Sequence, residues 1–135
     1  MLITYAVESD LLVDEFVDVL RRSKLSERRP VASAQRVSGM LRHADMIVTA
    51  RNTEGLPVGV SRAITGYMFC TYLSDITVDE AYQRQGIGRE LLGRTHQAAG
   101  LRTSLILLAA PKARTYYPHV GMKRHDSCWT IPACK

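Results

Sequence analysis

A turn between a predicted strand and a predicted helix carries the residues of this sequence best suited to bind an anion. An apolar run ends at Val78, a polar turn follows, and Gly86 and Gly88 stand where an amphipathic helix begins. Glycine tolerates backbone conformations that let consecutive N–H groups converge on one point, and the start of a helix adds unpaired N–H donors and the positive end of its dipole. Arg84 and Arg89 add full positive charges beside the turn. The sequence therefore predicts binding of a phosphate or a diphosphate.

The spacing of the glycines excludes two familiar nucleotide-binding motifs. A dinucleotide fingerprint needs a third glycine three residues after the second, where this chain has Leu91, and a P-loop needs Gly-Lys-Ser/Thr, whereas arginine and glutamate follow Gly88. The turn instead resembles the acyl-CoA-binding motif Gln/Arg-x-x-Gly-x-Gly/Ala of the GNAT N-acetyltransferases, with Gln83, Gly86 and Gly88 in its fixed positions.

A second segment strengthens this resemblance. Residues 116–122 are similar to the Phe-Tyr-x-x-x-Gly-Phe segment of the family, with Tyr117 in the place of its tyrosine. The resemblance implies that Tyr117 is a general acid toward the departing CoA thiolate. A hydroxyl donor suits that role, since a free thiol has a pKa near 8.5 and the leaving sulfur gains from a proton. The alternative for Tyr117 is an aromatic residue packed at the end of a helix.

The resemblance also implies acetyl-CoA as the acyl donor and assigns its binding residues by position. The pantetheine arm would lie along the central strand beside the backbone groups of Ile76, Thr77 and Val78. The diphosphate would be held by the backbone N–H groups of Arg84, Gln85, Gly86, Ile87, Gly88 and Arg89.

The reaction that the resemblance implies is direct attack of a primary amine on the bound thioester in a ternary complex. A primary amine is mostly protonated at neutral pH, so its proton must be accepted by a base or by water. Asp75 is the nearest carboxylate on the central strand and is the candidate base; it could equally be a solvated strand residue or a loop cap. The sequence departs from the family at Ala110, near the place of an asparagine that contacts the cofactor, and residues 104–109 contain no carboxylate.

No metal or covalent chemistry is predicted. The histidines His43, His96, His119 and His125 are scattered, and the cysteines Cys70, Cys128 and Cys134 lack the spacing of metal ligands or of a disulfide framework.

The elements that must position these residues follow the order β-α-α-β-β-β-α-β-α-β. This order predicts an α+β fold, a mixed and mostly antiparallel sheet flanked by helices, in a single domain over residues 1–135, and the GNAT resemblance implies the same. The predicted strands are residues 3–7, 46–51, 56–64, 68–78, 104–109 and 123–132. The predicted helices run from Ser9 or Asp10 to Ser23, over 33–43, over 87–99 and over 111–117. Because residues 104–109 are apolar on both faces, we expect that strand in the interior of the sheet.

Composition is that of an ordinary globular protein, with 46% hydrophobic and 23% charged residues. A formal charge of +5 favours an anionic ligand without choosing among nucleotides, nucleic acids and membranes. The doublets Arg21-Arg22 and Arg28-Arg29 are predicted to lie on a solvated face, so we expect no nucleic-acid partner. With no signal peptide and no apolar run long enough to cross a bilayer, we expect a cytoplasmic protein without a membrane partner.

Three functions remain in view. The first is an N-acetyltransferase acting on an amine-bearing acceptor, for which family analogy suggests a homodimer as one possible oligomeric state. The second is a non-catalytic CoA-binding sensor or partner-binding module, and the third is a basic nucleic-acid binder. The sequence leaves open the acceptor, the general base, the oligomeric state and the use of acyl groups other than acetyl.

Overall fold

The structure is a computed structural model that describes residues 2–134. Its strands are β1 (Thr4–Val7), β2 (Met46–Arg51), β3 (Pro57–Thr65), β4 (Cys70–Val78) and β5 (Ser104–Leu107). Its helices are α1 (Val13–Arg22), α2 (Ala34–Arg42) and α3 (Ile87–Ala99). Short 3-10 turns occupy Leu25–Arg28, Glu80–Tyr82, Pro111–Ala113 and Tyr117–Val120.

The five strands form one sheet in the order β1-β2-β3-β4-β5. The first three neighbouring pairs are antiparallel, and β4 pairs with β5 in parallel after the crossover through α3. This arrangement confirms the predicted α+β class with a mostly antiparallel sheet.

Helices cover both faces of the sheet. Phe16 and Leu20 of α1 and Val37 of α2 are fully buried in one cluster with Ile47 of β2. The neighbouring residue Val48 belongs to a second cluster, on the side of α3. Adjacent strand residues point to opposite faces, so alternation along β2 separates the two cores.

Close packing of α3 on β3 fixes the position of the α3 N-terminus. A Cβ built on Gly59 of β3 would lie 3.0 Å from Leu91 Cδ1 and 3.2 Å from Ile87 Cγ2. The missing side chain therefore lets the first turns of the helix approach the strand. One helical turn further on, the buried hydroxyls of Ser61 and Thr95 share a hydrogen bond of 2.5 Å.

Two predicted helices differ from the structure. We expected Ser9 or Asp10 to cap the first helix, but α1 begins at Val13 and its N-cap residue, Leu12, makes no side-chain cap. We expected one helix to end at Tyr117 because proline follows it. Instead a separate 3-10 turn begins at Tyr117, with Pro118 in its first turn. Proline is tolerated there, since the N–H it lacks would have no helical partner.

The C-terminal strands also differ. β5 is an edge strand rather than an interior one, and its apolar side chain Ile106 is 49% exposed. The strand predicted over residues 123–132 was wrong, because that segment has no strand pairing in the described residues and its Trp129 is 90% exposed. A strand requires a partner edge, and β-type composition alone does not supply one.

Candidate active site

The edge of β4 opens halfway along the strand. β5 pairs with β4 only from Cys70 to Leu73, where Leu73 lies opposite Leu107. Beyond that point β4 continues to Val78 paired with β3 on its other side. Residues 74–78 therefore present one edge that β5 does not cover.

Backbone direction along this edge separates the three predicted strand contacts. The Asp79 N–H donates to the Val58 carbonyl at 2.8 Å, so the backbone groups of Asp79 face β3. Backbone direction alternates along an antiparallel strand, so Thr77 faces β3 as well, whereas Ile76 and Val78 face the open edge. Ile76 and Val78 thus suit the predicted role, and the backbone of Thr77 does not.

The turn after β4 leads directly to the N-terminus of α3. Arg84 and Gly86 both adopt positive φ, at 64° and 83°. Gly86 is the N-cap of α3 and makes no side-chain cap, so the first N–H groups of the helix have no side-chain acceptor from the cap residue. Ile87 is 2% exposed and anchors the turn in the core.

The predicted diphosphate site is brought together by this turn. Its six residues are consecutive along the loop and the first helical turn: Arg84, Gln85, Gly86, Ile87, Gly88 and Arg89. Both arginines are exposed, so their charges can reach an anion at the helix start. Gln83 ties the turn to the end of β4, since its side-chain amide donates a hydrogen bond to the Val78 carbonyl at 3.1 Å.

Tyr117 is connected through its neighbour Tyr116 to the diphosphate cradle, by which we mean the turn and first helical residues from Arg84 to Arg89. The rings of Tyr116 and Tyr117 are in edge-to-face contact, with centroids 5.3 Å apart, and the Tyr116 hydroxyl lies against Gly88 in the first turn of α3. Burial raises the pKa of the Tyr117 hydroxyl above its ordinary value, and Tyr116 raises that pKa further. Tyr117 therefore holds its proton at neutral pH, as a proton donor must.

Asp75 lies in a buried ion-pair network. It is 1% exposed, and its two carboxylate oxygens accept hydrogen bonds from the Nε atoms of Arg29 and Arg62. The same arginines reach Ser74: Arg62 donates to its hydroxyl at 2.8 Å and Arg29 to its carbonyl at 2.9 Å. Burial excludes the solvated alternative for Asp75. Both carboxylate oxygens are already bound by guanidinium groups, so neither is free to contact an incoming amine.

Sequence reasoning missed the arginines of this network. Arg29 was assigned with its doublet to a solvated face, but it ties the segment between α1 and α2 to β4. Arg22 of the other doublet likewise bonds to Asp79 and to the Pro57 carbonyl. Arg62 gave a usable signal, because a charge inside an otherwise buried strand requires a buried partner.

Residues 2–134 contain neither a metal-ligand cluster nor a membrane-spanning helix. These residues contain no group of three or more His, Cys, Asp or Glu side chains able to hold a metal ion. None of their helices has the length and apolar character needed to cross a membrane.

The fold and the open strand edge define a GNAT-type acyltransferase domain, and comparison with known proteins agrees. The family described as Acetyltransferase (GNAT) domain matches residues 16–128, most of the chain. The protein therefore belongs to the GNAT acetyltransferase family. Comparison with curated proteins gives no significant match.

Solved structures share the fold at low sequence identity. A GNAT-family acetyltransferase of Streptococcus pneumoniae TIGR4 is 18% identical, with a TM-score of 0.70 over 99% of this chain and 98% of that one. An aminoglycoside N-acetyltransferase in complex with CoA is 13% identical, with a TM-score of 0.74 over 98% and 95%. An aminoglycoside acetyltransferase from an uncultured soil metagenomic sample, in complex with sisomicin, is 17% identical, with a TM-score of 0.68 over 99% and 95%. At these identities the likeness is one of fold.

Proposed function

We propose that this protein transfers an acetyl group from acetyl-CoA to a primary amine by direct attack in a ternary complex. One observation carries the proposal: in a chain of this family, the edge of β4 that β5 leaves uncovered leads directly to the N-terminus of α3, whose N-cap residue, Gly86, has no side chain to cap it. A diphosphate at the helix start and a thioester arm along the strand would use both features.

The cradle fits the diphosphate. Gly86 has positive φ, and a Cβ built on it meets nothing within 4 Å, so the space in front of the turn is open. The N–H groups from Arg84 to Arg89 would hold the diphosphate, and the backbone groups of Ile76 and Val78 would hold the arm. When bound, acetyl-CoA supplies an activated acetyl thioester, and the protein's part is to orient that thioester beside the amine.

Tyr117 is the proposed general acid. Its hydroxyl carries a proton at neutral pH, since burial and Tyr116 both raise its pKa. It lies in ring contact with Tyr116, which itself touches the first turn of α3. A proton held there stabilises negative charge on a departing sulfur.

Asp75 is better suited to position the site than to act as base. Its contacts with Arg29 and Arg62 hold the α1–α2 connection and β3 against β4. We propose that the amine loses its proton to water instead. Much of the rate enhancement would then come from orienting the two substrates.

The acceptor is proposed only as an amine-bearing molecule. We propose that residues 10–43 form much of its site, because Arg29 of this segment donates a hydrogen bond to the Ser74 carbonyl beside the open edge. Two of the structural neighbours are aminoglycoside acetyltransferases, so aminoglycosides belong in a panel of acceptors beside small amines, amino acids and peptides.

The test is release of free thiol from acetyl-CoA across that panel, followed with a thiol reagent. The proposal predicts amine-dependent release with at least one class of acceptor. CoA binding without turnover on any amine would favour the non-catalytic sensor. Two observations keep the sensor in view: both oxygens of Asp75 are bound by arginines, and residues 104–109 contain no carboxylate.

A cytoplasmic location is proposed as well. Cys70, Cys128 and Cys134 are free and exposed, which suits a reducing compartment. Neither a nucleic-acid nor a membrane partner is proposed, and DNA affinity that falls steeply with salt would argue against the nucleic-acid part.

A further inference from the structure

Gly86 and Gly88, the two glycines of the cradle, have different neighbours. A Cβ built on Gly88 would lie 2.7 Å from Tyr116 Oη and 3.5 Å from Tyr116 Cζ. Carbon atoms do not approach a hydroxyl oxygen so closely, so any larger residue at position 88 must displace the tyrosine. Gly86, in contrast, is required by its positive φ, and a Cβ there would meet nothing within 4 Å.

The contact with Gly88 puts the Tyr116 hydroxyl beside the backbone N–H groups that are predicted to bind the diphosphate. Gly88 is the second residue of α3, whose N–H has no partner within the helix. Tyr116 is 38% exposed, so its hydroxyl can meet a ligand as well as the helix. Burial raises the pKa of this hydroxyl while the charge of Arg89 lowers it, with a net rise, so Tyr116 stays protonated at neutral pH and can donate.

Tyr116 also stands between the cradle and the proposed general acid. Its ring meets that of Tyr117 edge to face, at an interplanar angle of 76°. Displacing Tyr116 from Gly88 would therefore disturb both the diphosphate site and the residue beside it.

We propose that Tyr116 is a further ligand of the CoA diphosphate, through a hydrogen bond from its hydroxyl beside the N–H groups of α3. Position 88 is glycine because this hydroxyl occupies the space of a side chain. The inference rests on the proposed function, because it requires that the cradle hold a diphosphate.

The first test is calorimetric titration of the full chain with CoA. Tyr116→Phe should weaken binding about tenfold, the effect of losing one hydrogen bond to a charged group. Dephospho-CoA keeps the diphosphate and lacks the 3′-phosphate, so Tyr116→Phe should weaken its binding, relative to the wild type, by the same factor. The matched control is Tyr72→Phe, because Tyr72 is also 38% exposed but lies on the part of β4 paired with β5. Its affinity should equal that of the wild type.

The second test examines the contact itself. Gly88→Ala should weaken CoA binding about tenfold by displacing the Tyr116 hydroxyl. In Tyr116→Phe the nearest ring atom, Cζ, would lie 3.5 Å from the new methyl group, an ordinary contact. The double variant Gly88→Ala/Tyr116→Phe should therefore bind CoA about as well as Tyr116→Phe alone.

The outcomes separate this inference from the function on which it rests. If the wild type binds no CoA, the proposed function is wrong and this inference is wrong with it. If the wild type binds CoA and Tyr116→Phe binds it equally well, only the role of Tyr116 is overturned. Equal penalties for Gly88→Ala in the Tyr and Phe backgrounds would overturn the explanation of the glycine. Thermal unfolding of each variant without ligand identifies any loss of affinity that is due to loss of fold.

Discussion

At the scale of single residues, resemblance to a family motif is informative about the residues inside the motif and uninformative about those outside it. The two segments that resemble the family lie together, because Tyr116 contacts the ring of Tyr117 and its hydroxyl lies against Gly88, while the roles of these residues stay predictions. Asp75 was selected only as the nearest carboxylate on a strand. Its two arginine partners come from residues 29 and 62, and nothing in the sequence pairs those positions with residue 75.

Tyr117→Phe should lower kcat by about a hundredfold or more while leaving acetyl-CoA affinity nearly unchanged, because the hydroxyl serves the leaving sulfur rather than binding. Since the pKa of Tyr117 is raised, wild-type turnover should not decline through loss of this proton below about pH 10. Steady-state kinetics and calorimetry with acetyl-CoA measure the two effects. Equal turnover in the variant would remove Tyr117 from the mechanism.

Asp75→Asn should lower the free energy of unfolding by about 3–5 kcal/mol, because it leaves two largely buried guanidinium groups without their countercharge. Asp18→Asn is the control. Asp18 pairs with Arg22 on the surface and its side chain is 54% exposed, so its loss should cost less than about 1 kcal/mol. Urea denaturation measures both variants. An Asp75→Asn protein of normal stability but without turnover would restore the general-base role.

At the scale of elements, predictions held where the signal was local. The bounds of β2 and α3 agree with the sequence, since alternation and turn residues bracket β2 and the glycines at 86 and 100 bracket α3. The tight approach of α3 to Gly59 could not be predicted, because periodicity gives the buried face of a helix but not which strand residue lies beneath it.

Gly59→Ala should destabilise the fold by about 1–3 kcal/mol, because the new methyl group would crowd Leu91 and Ile87 in a packed core. It should also weaken CoA binding, since those residues set the height of the α3 N-terminus above the sheet. The control is Gly93→Ala. Gly93 lies on α3, the helix of Leu91 and Ile87, and a Cβ there meets nothing within 4 Å, so this substitution should be neutral or stabilising. Denaturation and titration of both variants would contradict this account if Gly59→Ala behaved like Gly93→Ala.

The last elements were the least predictable. Residues 104–109 have strand composition on both faces, which a buried interior strand and an exposed edge strand share. Only a pairing partner decides between them, and in the described residues β5 pairs with β4 alone. The strand expected around Trp129 failed for the same reason.

At the scale of the whole molecule, one cluster ties three elements together. Arg51 of β2 pairs with Glu8, just after β1, at 2.8 Å and with Glu15 of α1 at 2.8 Å. Hydrogen bonds from Arg51 lower the pKa of both carboxyls. A carboxyl whose pKa is lowered by folding stabilises the fold above its unfolded pKa, and that contribution is lost as the pH falls through the folded value.

Glu8→Gln should therefore cost about 1 kcal/mol of unfolding free energy at pH 7, and the difference from the wild type should shrink as the pH falls below about 4. Glu54→Gln, on the exposed hairpin, is the control and should change little at either pH. Urea denaturation at several pH values gives the curves. A wild-type advantage that stays constant down to pH 3 would contradict the assignment.

The homodimer stays a prediction, and the exposed apolar side chains of the C-terminal segment give a reason to test it. Trp129 is 90% and Ile131 97% exposed, more than an isolated chain in water favours for two such neighbours. We expect light scattering to give twice the monomer mass, and Trp129→Ser to shift the protein toward the monomer. A wild type that is monomeric at high concentration would contradict the expectation.

The central claim is that backbone N–H groups around the paired glycines hold the diphosphate of acetyl-CoA. A crystal structure of the protein with CoA tests it most directly. We expect the diphosphate oxygens within about 3 Å of the N–H groups between Arg84 and Arg89, with the pantetheine arm along Ile76 and Val78. CoA bound elsewhere, with this turn free of the diphosphate, would contradict the claim and the acetyltransferase mechanism built on it.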